Sequence, residues 1–395
     1  MKYFYSIILF VFCCFSLLNA QNSLDDLLNE VDLDSLVMTV KQLSGEIPVV
    51  VNGKSETITT RARNEIGNEI AFQFLKEKLF GYGYEIDSMV FSPSGKNLLG
   101  IKNGVEFPQK RIMIGAHYDS KPYSGLAPGA DDNASGVAAV IEVARVLQHE
   151  NFPYTIVFAL WDEEEPGLLG SGAYVKSIGS ENETLLAYIN LDMIAWDGDD
   201  DGEVEISTRP VDQSLDLADL IISLNVQYNI GLKTTLINPG PSSSDFHSFW
   251  MSGYTASGIN EVYYGADANP YWHSIEDVIA HFNLNYFLKC TKLTFASVYY
   301  LAQNGLNTVT SIKNQEAFNQ LSIYPNPVTE SFSIANPDIE VRAIKIYDLK
   351  GSLVFSTNHV MNKTITLPSF IQSGTYLVEL TSIENTAYYT QLVKL

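Results

Sequence analysis

The chain has 395 residues, 46% of them hydrophobic and 18% charged, with a formal net charge of -22. That is enough apolar material for one large core with a lesser domain beside it, and it excludes an intrinsically disordered chain. The acidic balance argues against nucleic acid or an anionic membrane surface as a partner.

The first residues, MKYFYSIILFVFCCFSLLNA, place Lys2 ahead of a short apolar run and the small residue Ala20 behind it. The pattern predicts a secretory signal peptide over 1–20, because the run is short for a bilayer span and no second one follows. Cys290 is then the only cysteine left, so no intramolecular disulfide is expected. It sits in an apolar-periodic helix and reads as a small buried hydrophobe rather than a reactive thiol.

Residues 21–60 begin as an acidic segment of helical tendency, LDDLLNEVDLDSLVMTVKQLSG. An amphipathic helix follows over about 63–79, with Ile66, Ile70, Phe74 and Leu75 near one face and Gly81 and Gly83 stopping it. MVFSPSG and NLLGIKNG read as strands, then RIMIGA over 111–116, a helix over 135–148, and the strand YTIVFALW over 154–161. A short helix around 171–177 precedes the strand AYINLDMI. This alternation predicts an α/β domain over 61–303, with a mixed, largely parallel central sheet flanked by helices.

Near residue 303 the composition shifts to a polar linker over 304–319, and residues 320–395 read as short alternating strands separated by turns such as Pro325-Asn326-Pro327 and Ser373-Gly374. This predicts a small C-terminal all-β sandwich. Its opening SIYPNPVTESFSI, its IYDLKGSLV and GTYLVEL segments and the basic Lys394 resemble the C-terminal sorting domains of the type 9 secretion system of Bacteroidota. The resemblance implies an address read by that secretion machinery, a secreted or surface-attached protein, and no part in catalysis.

The residue types suited to chemistry fall just past strand ends. RIMIGA is followed by His117-Tyr118-Asp119, YTIVFALW by Asp162-Glu163-Glu164-Glu165, and AYINL by Asp192. In an open α/β sheet those ends face one crevice, so groups distant in sequence converge there. A carboxylate run after one buried strand is ordinarily a solvated loop, but three strands ending this way call for a cation to neutralise them. In Pro128-Gly129-Ala130-Asp131-Asp132-Asn133-Ala134-Ser135-Gly136, helix capping explains one Asp and leaves the other idle.

HYDS, PGADDNASG, EEPGLLGS, NLDMI and NPYWHS, in this order, closely resemble the M28 zinc peptidases over about 63–300. The resemblance implies two zinc ions per chain, with His117, Asp192 and Asp132 around one and His273, Glu165 and Asp132 around the other. It makes Asp132 rather than Asp131 the bridge, followed by a cis peptide to Asn133. Asp119 becomes the carboxylate that orients His117. The register of GLLGS makes Glu164 the general base and Glu165 a ligand, leaving Glu163 a bystander. SDFHSFW matches the family's SDHxxF region loosely, so His247 receives no metal role and its helix is expected to line the substrate pocket. Trp272 stands where some relatives have a Tyr near the oxyanion, leaving Tyr263 and Tyr271 as candidates for that part.

The resemblance implies an aminopeptidase that hydrolyses N-terminal residues from peptides. A carboxypeptidase needs a basic pocket, yet only Arg209 and Lys233 lie between Asp192 and Val262. A glutaminyl cyclase-like acyl transferase would use one zinc, and a non-catalytic binding protein would have lost ligands or the base.

Overall fold

The structure, a computed structural model, describes residues 23–122, 126–178, 183–306, 323–334, 341–348, 353–358, 364–382 and 387–395. The signal peptide over 1–20 and nearly all of the linker over 304–319 lie outside the described residues. The chain divides into two compact units, Met1–Asn307 and Thr308–Leu395. Among the described residues no helix is long and apolar enough to cross a membrane.

In the first unit the elements run α1 (Leu24–Leu28), α2 (Leu33–Leu43), β1 (Val49–Val51), β2 (Lys54–Glu56), α3 (Ile66–Gly81), β3 (Glu85–Val90), β4 (Lys96–Lys102) and β5 (Phe107–His117). Then come α4 (Gly136–Leu147), β6 (Tyr154–Trp161), α5 (Leu169–Ile178), β7 (Thr184–Leu191), β8 (Glu203–Ser207) and α6 (Ser214–Gln227). The last are β9 (Lys233–Ile237), α7 (Phe246–Met251), β10 (Ala256–Asn260) and α8 (Leu284–Asn304). Strands β3 to β10 form one sheet in the order β3-β4-β6-β5-β7-β10-β8-β9. Its centre, β6-β5-β7-β10, is parallel, while β3, β4 and the β10–β8 pair are antiparallel.

Side-chain alternation along the central strands builds a core on each face. Ile112, Ile114, Ile156, Phe158, Leu160, Ile189 and Leu191 pack on one side with residues of α3, α4, α6 and α8. Met113, Val157, Ala159, Trp161 and Tyr188 pack on the other with Tyr174 and Val175 of α5 and Phe246 and Phe249 of α7. With both faces covered, the inner strands read as continuous apolar runs, which is why RIMIGA and YTIVFALW stood out in the sequence. The segment from β8 to β10, by contrast, carries a helix and three strands that the sequence pattern did not reveal. Ile66 also departs from expectation: it is 73% exposed at the first turn of α3, while Ala71, Phe72, Leu75 and Leu79 form the buried side.

The acidic N-terminal segment belongs to the main core. Leu24, Leu27, Leu28, Val31, Leu36, Val40 and Leu43 are all buried in it. The buried Glu142 of α4 accepts the Asp32 N–H at 2.7 Å and pairs with Arg145, which in turn donates to the Glu30 carbonyl. Cys290 is buried in the same core, and burial pushes its thiol up, as befits an inert residue.

The second unit has two antiparallel sheets around one core. One joins β11 (Ile323–Tyr324), β12 (Ser331–Ile334) and β15 (Thr364–Thr366); the other joins β14 (Leu353–Thr357), β13 (Val341–Tyr347), β16 (Gly374–Ser382) and β17 (Ala387–Lys394). Phe332 and Ile365 from the first sheet meet Ile344, Ile346, Val378 and Leu380 from the second.

The burial of α2 generates a test. Leu36 is fully buried, so Leu36→Ala should cost about 2–5 kcal/mol. All four tryptophans lie in the first unit, so tryptophan fluorescence in urea reads that unit alone. A midpoint equal to that of the unmodified chain would mean that α2 is a detachable cover.

Candidate metal centre

His117 ends β5, Glu164 and Glu165 follow β6, and Asp192 follows β7. Because these strands are parallel neighbours, their C-terminal ends lie on one edge of the sheet. Two loops complete the cluster: residues 130–135 between β5 and α4 bring Asp132, and the segment after β10 brings His273. His117 Nε2 lies 3.2 Å from Asp132 Oδ1 and 3.3 Å from Asp192 Oδ1. His273 Nε2 lies 3.0 Å from Asp132 Oδ2 and 2.9 Å from Glu165 Oε2. Asp132 therefore offers one carboxylate oxygen to each imidazole, and the residues fall into two groups of three suited to holding a metal ion, sharing Asp132. A third acidic group, Asp197, Asp199 and Asp267, contains no nitrogen donor.

The surroundings show why each side chain stays in place. Asp119 lies 3.4 Å from His117 Nδ1, and its two oxygens accept the N–H groups of Glu164 and Glu165 at 3.1 and 3.2 Å. One carboxylate thus aligns both an imidazole and the acidic turn. Glu163 stands in neither group and has a structural part: its carboxylate is buried, pairs with Arg63 at 2.9 Å and accepts the Ser94 hydroxyl at 2.6 Å, pinning that turn. The Asp132-Asn133 peptide is cis. Gly129 has φ +54°, and a Cβ there would stand 2.4 Å from the Asp132 carbonyl oxygen; at Gly136 it would stand 2.4 Å from Asn133 Oδ1. Those clashes explain both outer glycines of GADDNASG.

Arg61, which the sequence reading passed over, lies fully buried behind these loops. It donates to the carbonyls of Tyr118 (2.7 Å), Leu43 (2.8 Å), Pro128 (2.7 Å) and Gly129 (2.8 Å), joining α2 to the His117 and Asp132 loops. Burial pulls its pKa down to about 10, and Asp277, Asp132, Asp119 and Glu165 support the charge. Nothing in the local pattern TTRARN distinguishes Arg61 from a surface arginine.

Burial raises Glu165 to about 7, with Asp132 adding to the shift and His273 opposing it. Glu164 stands well above the ordinary carboxyl range through burial, against the pull of His117, with Asp245, Asp192 and Glu165 reinforcing it. His273 rises to about 9: burial opposes this, but the bonds to Asp132 and Glu165 prevail. Asp132 is lowered against its own burial by the two imidazoles. Asp245, at the start of α7, is fully buried and raised to about 7 by burial, although His117 pulls the other way. The buried Glu165 Oε1 has no hydrogen-bond partner. Crowded buried carboxylates, an orphaned carboxylate oxygen and a mixed nitrogen and oxygen donor set fit a divalent cation of the zinc type.

The sequence profile of peptidase family M28 matches residues 97–298, just over half of the chain. This chain belongs to peptidase family M28. A probable zinc metalloprotease of Pyrenophora tritici-repentis is 30% identical over 199 residues, covering 46% of this chain and 46% of the relative. A probable leucine aminopeptidase of Arthroderma otae is 30% identical over 201 residues, covering 48% and 53%. The chain thus spans about half the length of the curated relatives it matches. In fold it is similar to the LapA aminopeptidase of Legionella pneumophila, with a TM-score of 0.62 at 24% identity over 71% of this chain and 75% of that one. It also resembles a glutaminyl cyclase of Bacteroides thetaiotaomicron, with a TM-score of 0.56 at 18% identity over 68% and 98%. Residues 322–394 match the profile of the secretion system C-terminal sorting domain.

Within this M28 unit, Tyr263 and Tyr271, the candidates for the part of the tyrosine that Trp272 replaces, part company. The Tyr263 hydroxyl donates to the Asp192 carbonyl at 3.0 Å, whereas Tyr271 stacks on His281 at 3.7 Å. Trp272 itself stacks on His273 at 3.8 Å. Helix α7, expected to line the pocket, sends Phe246, Phe249 and Trp250 into the core, with Phe249 stacked on Tyr188 at 3.9 Å, and the buried Asp245 at its start acts electrostatically on Glu164. His247 stands in neither group.

Because a lysine cannot reproduce the planar fork of Arg61, Arg61→Lys should lose one or two charge-assisted hydrogen bonds, about 1.5–6 kcal/mol. The urea midpoint by tryptophan fluorescence checks this, and an unchanged midpoint would show that the fork is dispensable.

Proposed function

We propose that the chain is a secreted two-zinc aminopeptidase. His117, Asp192 and Asp132 would hold one ion, and His273, Glu165 and Asp132 the other. The observation that carries this reading is the division of Asp132 between the two imidazoles, at 3.2 and 3.0 Å. When bound, a pair of zinc ions supplies Lewis acidity that lowers the pKa of water and polarises a carbonyl.

The remaining work falls to the chain's own residues. Glu164 lies outside both ligand groups but is buried beside them, with its N–H held by Asp119. In this reading it would take the proton of the attacking water and return it to the departing amine. Asp119 keeps His117 and the Glu164-Glu165 turn in register. The relative named as a probable leucine aminopeptidase supports a substrate with a free N-terminus.

Against a carboxypeptidase, Arg209 donates to the Gly240 carbonyl and lies over Trp250, and Lys233 pairs with Asp201 and Glu203. Neither is turned to a substrate carboxylate. The cyclase fold does not discriminate, but two complete ligand groups favour the two-ion peptidase over a one-zinc acyl transferase. The match of 322–394 to a sorting domain supports export through the type 9 machinery.

Glu164→Gln should retain both metals and lose roughly 10²–10⁴-fold in kcat, measured on aminoacyl substrates alongside metal analysis; undiminished turnover would remove Glu164 from its role. In the unmodified chain a chelator should abolish hydrolysis of peptides with free N-termini, and zinc should restore it. Cleavage of N-blocked peptides but not free ones would overturn the aminopeptidase reading.

A further inference from the structure

The loop that carries Asp132 contains a second buried carboxylate that this chemistry does not use. Asp131 Oδ1 accepts the Ala195 N–H at 3.1 Å, and its Oδ2 accepts Asn269 Nδ2 at 2.8 Å. Ala195 lies in the turn just after Asp192, and Asn269 in the segment just before His273. One carboxylate therefore touches all three loops that carry Asp132, Asp192 and His273. From the other side of the same loop, Asp277 accepts the N–H groups of Asp131 and Asp132 at 2.8 and 3.1 Å. Asn269 is itself oriented, since its Oδ1 accepts the Tyr271 N–H at 2.9 Å.

The partners of Asp131 explain why a carboxylate is needed. Ala195 N–H and Asn269 Nδ2 are both donors, so the group between them must accept on both oxygens. An ionised carboxylate does so, and an amide does not. Glu261, buried beside it, is held well above the ordinary carboxyl range by burial and then by the Asp131 charge. Its Oε2 accepts the Trp196 N–H at 2.8 Å, tying the Asp192 turn a second time.

We propose that Asp131 is a positioning residue that sets the spacing between the two ligand groups by clamping the Asp192 and His273 loops to the Asp132 loop. This rests on the ligand assignment proposed above. Outer-sphere partners of metal ligands typically govern affinity by about 10–100-fold, and a clamp across three loops belongs with them.

The test uses the full-length chain and three variants: Asp131→Asn, Asn269→Asp and the double exchange. Zinc affinity is measured by competition with a chromophoric chelator, ligand geometry by the visible spectrum of the cobalt-substituted protein, and folding by tryptophan fluorescence. Asp131→Asn should turn a donor toward Asn269 and weaken zinc binding by about 10–100-fold with an altered cobalt spectrum. Asn269→Asp should do likewise by opposing two carboxylates. The double exchange restores one donor facing one acceptor and should recover affinity to within a few-fold of the unmodified chain. A generic loss of stability would not be rescued in this way. If Asp131→Asn fails to fold, Asn269→Ala removes the same contact at a half-buried loop position, and unchanged affinity there overturns the proposal. So does Asp131→Asn with unaltered affinity and spectrum, or a double exchange no better than the poorer single variant. If the unmodified chain fails to bind two zinc ions, the ligand assignment falls and this inference with it. Two-ion binding left intact by the Asp131 variant overturns this inference alone.

Discussion

Asp132 faces His117 through one carboxylate oxygen and His273 through the other, and much of the first unit is arranged around holding it there. Its loop is gripped by the Arg61 bond to the Gly129 carbonyl, and Asp277 accepts its N–H. The glycine at 129 is required because any side chain would strike the Asp132 carbonyl. Asp119, Glu164, Glu165, Asp192 and Asp245 are buried or nearly so around it. Such a concentration of acid, with two imidazoles and one guanidinium, is stable only where cations compensate it. The proposed metal site and the fold therefore constrain each other.

The sheet brings this about. Parallel β5, β6 and β7 end on the same edge, so His117, the Glu164-Glu165 turn and Asp192 arrive together without long loops. Helices covering both faces keep those strands dry, so their ends are stiff platforms for charged residues. The N-terminal helices α1 and α2 contribute to the same rigidity. Their leucines lie in the main core, and the Leu43 carbonyl is one of the acceptors of Arg61. The acidic segment that precedes the M28 match in sequence is thus part of the foundation of the first unit. Glu163 illustrates the same principle on a smaller scale, as a charged residue whose work is to pin a turn.

The α/β class, the helix over α3, the three central strands and the β-rich tail were legible because each follows a local rule. Strands covered on both faces read as apolar runs, and a strand with one wet face alternates. Between β8 and β10 only α7 was legible, because the strands there are five residues each and β9 is exposed or half-buried throughout, a pattern no stronger than that of a loop. Ile66 was assigned to the buried face of α3 from its spacing, but the helix begins there, and its first turn projects beyond the core.

For the site, the sequence by itself determined which residue types follow which strands, and that Asp and His recur where parallel strand ends must converge. It also carried the motifs GADDNASG, EEPGLLGS and NPYWHS that mark M28 membership. Tertiary structure alone decided that Asp131 reaches the Ala195 and Asn269 loops, and that Arg61, Asp245 and Asp277 belong to the same cluster. The reason is physical: a ligand's partners are chosen by distances of about 3 Å across loops far apart in the chain, and no local periodicity encodes a contact of that kind.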